Sequence, residues 1–164
     1  MPNSSRDDID IDIRDTRWDA VDDISALAHT AIMAARVEYH AHPFTERAFT
    51  EISLLFTDNA QIRDLNRTYR KQDKPTNVLS FPTDASLGIP ILGDVVLAFE
   101  TVALEAQQSG IKLDDHITHL LIHGYLHLQG LDHETDVDAQ TMEALEIKAL
   151  AGLGIANPYD RVAL

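Results

Sequence analysis

Between Ile117 and Leu128 the chain specifies a helix that is apolar nearly all round, through Ile117, Leu120, Leu121, Tyr125, Leu126 and Leu128. A helix of that kind must lie in the core, where it becomes a rigid strut for the elements around it. His123 and His127 stand four residues apart on it. That spacing is one turn, about 6 Å of rise, and puts both imidazoles on one face within reach of a single ion. Gly130 comes next, and glycine alone enters the left-handed backbone conformation cheaply, so it can end the helix and turn the chain back. His133 then falls where the returning chain could supply a third nitrogen. Three neutral imidazoles leave a tetrahedral cation one open position for water, the layout of a catalytic zinc rather than a structural one. A metal-dependent hydrolase is expected.

An HxxxH pair alone on an apolar helix is more often two ordinary histidines. Here the glycine and the third histidine sit at the right offsets, and five of the eight histidines lie between His116 and His133. Register is the main competitor, because His119, His123 and His127 also share a helical stripe. An ion on His119 and His123 would leave His127 and the Gly130 turn without purpose, so His119 is read as lying behind the ligands or in the core. Asp132 either accepts the spare N–H of a ligating imidazole and sets its tautomer, or is a solvated acid near the next helix. Both readings stay open.

The rest of the chain sets bounds. Its 164 residues suit one domain able to bury a core. With no cysteine, disulfides and thiolate metal sites are excluded. Met-Pro-Asn-Ser-Ser-Arg-Asp-Asp lacks the apolar segment of a signal peptide, and no run approaches membrane-spanning length, so a soluble cytoplasmic protein is expected. A net charge of -14 argues against a nucleic-acid partner. Local distribution matters more than the total, however. Arg63, Arg67, Arg70, Lys71 and Lys74 follow helical spacing along one side, while the acids gather in Asp7–Asp23 and Asp132–Glu146. Such a stripe is either a solvated helix face or a guide for a phosphate-bearing substrate.

Patterning predicts a loose tail over 1–6, then a domain over 7–164. Ile9, Ile11 and Ile13 alternate with acids, the pattern of a strand with one buried face. Helical spacing follows from Trp18 to about Tyr39, with Pro43 in the loop after it. A strand covers Glu51–Thr57, a basic helix capped by Asp58 runs over about 59–71, and a short strand spans Val78–Phe81. A loop over 83–92 is long enough for a substrate rim. A strand from Gly93 to Phe99 precedes helices at about 100–109, 114–129 and 135–152. The order β-α-β-α-β-β-α-α-α gives an α+β fold, a small mixed sheet of about four strands flanked by helices.

The ligand spacing resembles that of the metzincin peptidases, HExxHxxGxxH, but Gly124 stands where those enzymes carry the glutamate that acts as general base. A peptidase would then need Asp132 or another acid in its place. The same run closely resembles the signature of the YbeY family of bacterial metal-dependent endoribonucleases, HGxLHLxGxDH, with Tyr125, Gln129 and Leu131 at its variable positions. Leu65-Asn66-Arg67-Thr68-Tyr69-Arg70, followed by Asp73-Lys74-Pro75-Thr76-Asn77-Val78-Leu79-Ser80-Phe81-Pro82, looks like that family's second signature. Leu92-Gly93-Asp94-Val95 resembles its third.

What the resemblance implies is a small sheet flanked by helices with a metal in a cleft. It implies a single-strand-specific endoribonuclease of ribosomal RNA maturation, particularly of the small-subunit 3′ end, and of ribosome quality control. One Zn2+ would sit on His123, His127 and His133, although such sites also accept other first-row ions. Arg70 takes the place of the family's functionally important arginine, and its planar fork suits charge gathering on phosphate oxygens. Lys71 and Lys74 would guide the neighbouring backbone. Partners would be single-stranded RNA, ribosomal RNA and the small ribosomal subunit, with no membrane and no DNA. Two other classes remain: a ribosome-assembly RNA-binding factor with a structural zinc, and a hydrolase of a small phosphorylated or amide substrate.

Overall fold

The computed structural model describes residues 9–41, 51–131 and 134–160. The tail over 1–6, Pro43, and the pair Asp132 and His133 lie outside the described residues. Strand β1 (Ile9–Ile13) follows the alternation, with Ile9 and Ile11 packed on the core and Ile13 43% exposed at the sheet edge. The helical spacing read from Trp18 is interrupted. Thr16–Ala20 is a 3-10 turn, and helix α1 begins only at Ile24 and runs to His40. Two aspartates cause the break: Asp15 accepts from the Arg17 N–H and Asp23 from the Ala26 N–H, so each starts its own helical segment.

Trp18 shows why the extra turn exists. Its ring is fully buried, edge-on to Phe56 at 5.1 Å and to Phe99 at 5.2 Å, and its indole Nε1–H donates to the Thr57 carbonyl at 3.0 Å. The turn thereby ties the chain after β1 to the end of the next strand. Trp18→Phe is expected to cost about 1–3 kcal/mol through the lost hydrogen bond and the void left behind. Thermal melting monitored by circular dichroism checks this, with a fall of roughly 3–10 °C expected.

Next come β2 (Glu51–Thr57), α2 (Asn59–Arg70), β3 (Val78–Pro82), a 3-10 turn at Ala85–Leu87, and β4 (Ile91–Ala98). Helices α3 (Phe99–Ser109), α4 (Leu113–Leu128) and α5 (Asp136–Gly152) complete the described chain. Boundaries differ from the sequence reading by a few residues at most, as fraying ends allow. Strand order is β1-β2-β4-β3, with β1, β2 and β4 parallel and β3 antiparallel to β4 at the edge. The mixed sheet and the element order agree with expectation.

Alternation along the strands divides the sheet into two faces. Ile52, Leu54, Phe56, Val95 and Leu97 turn into the main core, which they share with α1, α4 and α5. On the other face Val96 and Ala98 meet Ile62 of α2, with Leu55, Leu65, Leu79 and Phe81 packed around them. Helix α4 lies in the main core as the strut, touching α1, α3, α5, β3 and β4. No helix among the described residues is long and apolar enough to cross a membrane.

Candidate metal centre

Between Ile117 and Leu128 every residue of α4 is buried except His119, His123 and His127. The narrow window this core helix keeps open is therefore lined by imidazoles alone. The rings of His123 and His127 lie 5.2 Å apart at 73°. Two imidazoles on one tetrahedral zinc, with Zn–N near 2.0–2.1 Å, hold their centroids roughly 5 Å apart, so the pair fits such an ion. After α4, Gly130 takes a φ of 101°. Its N–H bonds to the His127 carbonyl at 3.0 Å, and the Leu131 N–H bonds to the Leu126 carbonyl at 3.2 Å. This paired closure of the helix end is the turn expected of the glycine. Among the described residues no group of three His, Asp or Glu could hold a metal ion.

Behind the histidines stands an acid that the sequence reading missed. Glu146 of α5 is fully buried. Its Oε1 accepts from His119 Nε2 at 2.9 Å and from His123 Nδ1 at 3.0 Å, while its Oε2 accepts from the Tyr159 hydroxyl at 2.9 Å. Burial pushes the Glu146 pKa up, but the hydrogen bonds from His119 and His123 outweigh it and hold the group down at about 2. It is therefore a carboxylate at neutral pH. Burial, and then the neighbouring Glu146 charge, push the Tyr159 phenol up, so it keeps its proton and donates. A signal for Glu146 was present: Met142, Leu145, Ala149 and Leu150 mark the buried stripe of α5, and an acid falls among them.

His119 spends Nε2 on Glu146, the same carboxylate oxygen that meets His123 Nδ1. His116, one step further along the stripe, spends its Nε2 on Glu105 at 2.9 Å, and Asn77 donates to the same carboxylate at 3.0 Å. A cleft of about 340 Å³ opens here, lined by Asn77, Glu105, His116, His119, His123 and Tyr159 among others.

Gly124 explains the missing glutamate. A Cβ at this position would lie 2.7 Å from Val95 Cγ1 and 3.3 Å from Ser80 Oγ. The helix is pressed so closely onto β3 and β4 that only glycine fits. A side chain here would also point into the sheet, away from the histidine window, so the position could not supply a general base.

The same contact brings Arg70 into relation with the helix. Arg70 ends α2, donates through Nη2 to the Ser80 carbonyl at 2.6 Å, and lays its guanidinium 5.3 Å from the centre of the Phe81 ring. The Ser80 hydroxyl in turn donates to the Gly124 carbonyl at 3.4 Å, one residue from His123. The basic stripe as a whole is not preserved. Helix α2 stops at Arg70, and Lys71 adopts the left-handed conformation with φ 59°, so Lys71 and Lys74 leave the helical line. Arg63 and Arg67 are engaged by Asp73 and Asp64, at 2.8 and 2.9 Å. Arg70, by contrast, meets a carbonyl and a ring.

Comparison with known proteins shows the family. The family model described as Endoribonuclease YbeY matches residues 10–154. A curated Endoribonuclease YbeY from Methylocella silvestris is 47% identical, over 93% of this chain and 85% of its own length. The one from Rhizobium etli is 43% identical over 93% of both chains. The one from Sphingopyxis alaskensis is 47% identical over 87% of this chain and 91% of its own. A solution structure of a Thermotoga maritima protein shares the fold, with TM-score 0.55 at 19% identity over 93% of this chain and 99% of that one. A core helix with a histidine window, a close-packing glycine between its two ligand candidates, and this match over most of the length place the chain in the endoribonuclease YbeY family.

Proposed function

We propose that this protein is a zinc-dependent endoribonuclease that cuts single-stranded RNA in the cytoplasm. Its substrate is ribosomal RNA, particularly the 3′ end of the small-subunit RNA, in maturation and quality control of the small ribosomal subunit. His123, His127 and His133 hold the metal. The observation that carries this reading is the pair His123 and His127, side by side in the one open window of a buried helix, with His123 tied to an ionised Glu146. A carboxylate bound to the far nitrogen of an imidazole is the arrangement that suits a zinc ligand. When bound, the ion supplies Lewis acidity at a phosphate oxygen and brings the pKa of water down toward ~7.

Arg70 supplies the fixed positive charge. Its guanidinium is steered by the Ser80 carbonyl and the Phe81 ring and leaves further N–H donors for phosphate oxygens. Helix α4, anchored at Gly124, keeps the ligands from shifting relative to β3, on which Arg70 rests.

The test is cleavage of labelled single-stranded and duplex RNA by purified protein, before and after chelation and again after zinc is restored. Single strands are expected to be cut, duplex spared, and activity to vanish and return with the metal. Arg70→Ala is expected to lower kcat by roughly 10²–10³-fold. Arg70→Lys should recover only part of that, because an ammonium cannot make the planar bidentate contact. Cleavage that survives chelation, or an Arg70→Ala protein as fast as wild type, would overturn the assignment.

A further inference from the structure

A neutral imidazole carries one proton, and the nitrogen that holds it cannot bind a cation. A ligating histidine therefore needs its tautomer decided in advance. We infer that Glu146, locked by Tyr159, is the positioning residue that decides it for both His119 and His123. The inference rests on the metal-dependent reading above and deepens it.

An ionised carboxylate only accepts hydrogen bonds. With Glu146 Oε1 at 3.0 Å from His123 Nδ1, the proton of that ring sits on Nδ1, and Nε2 on the far side is left with its lone pair. With the same oxygen at 2.9 Å from His119 Nε2, the proton of that ring sits on Nε2. One atom thus prepares His123 as a ligand and withdraws the same nitrogen of His119, its neighbour on the stripe, from competition for the ion. Tyr159 completes the device. Its hydroxyl holds Oε2 at 2.9 Å, so the carboxylate cannot rotate away from the two rings. The phenol is itself held in a turn, where the Tyr159 N–H donates to Asn157 Oδ1 at 2.8 Å.

Stability alone does not account for an acid at this position. The other residues of the buried stripe of α5, Met142, Leu145, Ala149 and Leu150, are apolar, and an apolar residue packed there generally serves a fold as well as a buried ion does. The negative charge is informative because three donors converge on it.

The experiment has two parts. Long-range proton–nitrogen NMR of the histidine rings, in zinc-free wild-type protein at mildly alkaline pH, reads the tautomers directly. His123 is expected as the Nδ1–H form and His119 as the Nε2–H form. Zinc affinity is then measured by competition with a chromophoric chelator. Glu146→Gln, which keeps the shape but loses the charge and one acceptor, is expected to bind zinc about 10–100-fold more weakly. Its His123 should also begin to populate the Nε2–H form. Tyr159→Phe should weaken binding in the same direction by a few-fold, and it serves as the second variant if Glu146→Gln does not fold. A wild-type His123 found in the Nε2–H form, or a folded Glu146→Gln protein with unchanged zinc affinity, overturns the inference. Wild-type protein that takes up no zinc would instead overturn the proposed function, and the ring tautomers would still be read independently.

Discussion

His127→Ala protein is expected to fold, to lose its zinc on dialysis, and to cleave single-stranded RNA more than about 10³-fold more slowly than wild type. Removing one charge-stabilising donor from an active site typically costs 10²–10³-fold, and losing a ligand removes the ion together with the Lewis acidity it brings. Folding should survive because His127 lies in the half-open window of α4, where alanine favours the helix and leaves little void. Melting curves separate the two effects. Zinc at about 100 times its Kd should stabilise wild type by roughly 2.7 kcal/mol. That corresponds to a rise in Tm of roughly 5–11 °C. The variant should melt close to zinc-free wild type and show no such rise. Undiminished cleavage by a variant that no longer binds zinc would remove the metal from the chemistry.

Gly124→Glu, which would write the metzincin sequence into α4, is expected to destabilise the fold severely and to create no peptidase. The first atom added already meets Val95 Cγ1 at 2.7 Å and Cγ2 at 3.1 Å, so Gly124→Ala alone should cost about 1–3 kcal/mol. The glutamate adds an unpaired carboxylate to an interface formed by the core helix and the middle of the sheet. Together these are worth about 4 kcal/mol, at the upper end of single substitutions. A fall in Tm of roughly 8–16 °C follows. Differential scanning calorimetry of the two variants would check the series, and a Gly124→Glu protein as stable as wild type would mean that α4 does not press on β4 as described. Activity should fall with the fold, because Ser80, which touches the Gly124 carbonyl, also anchors Arg70.

Much of the local structure could be read from the chain. The apolar surround of residues 117–128 marked a buried helix, and over that stretch α4 lies in the core with only His119, His123 and His127 open. Gly130 marked its end, and the bonds that close that end run as the spacing requires. The strand over Glu51–Thr57 and the Asp58 cap of α2 also stand where read. The long helix from Trp18 did not survive. Apolar periodicity persists across Val21, but Asp15 and Asp23 each offer a cap, and a capped start is stronger than a continuing pattern. The basic stripe failed for a related reason. Spacing counts positions along an ideal helix, whereas Lys71 leaves it in the left-handed conformation and Asp73 comes back to engage Arg63.

Taken by itself, the order of residues determined that two imidazoles would share a helix face, that a glycine would turn the chain after them, and that helices would flank a small sheet. Each of these depends on neighbours within a turn or two, where propensity, periodicity and capping act. Only the tertiary structure decided what stands behind those imidazoles. Glu146 reaches His123 across 23 residues and His119 across 27, and Tyr159 reaches Glu146 from beyond the end of α5. No local rule connects such positions. They meet because α4 and α5 bury their apolar stripes against one another, and that packing carries a fully buried acid to the rings it holds.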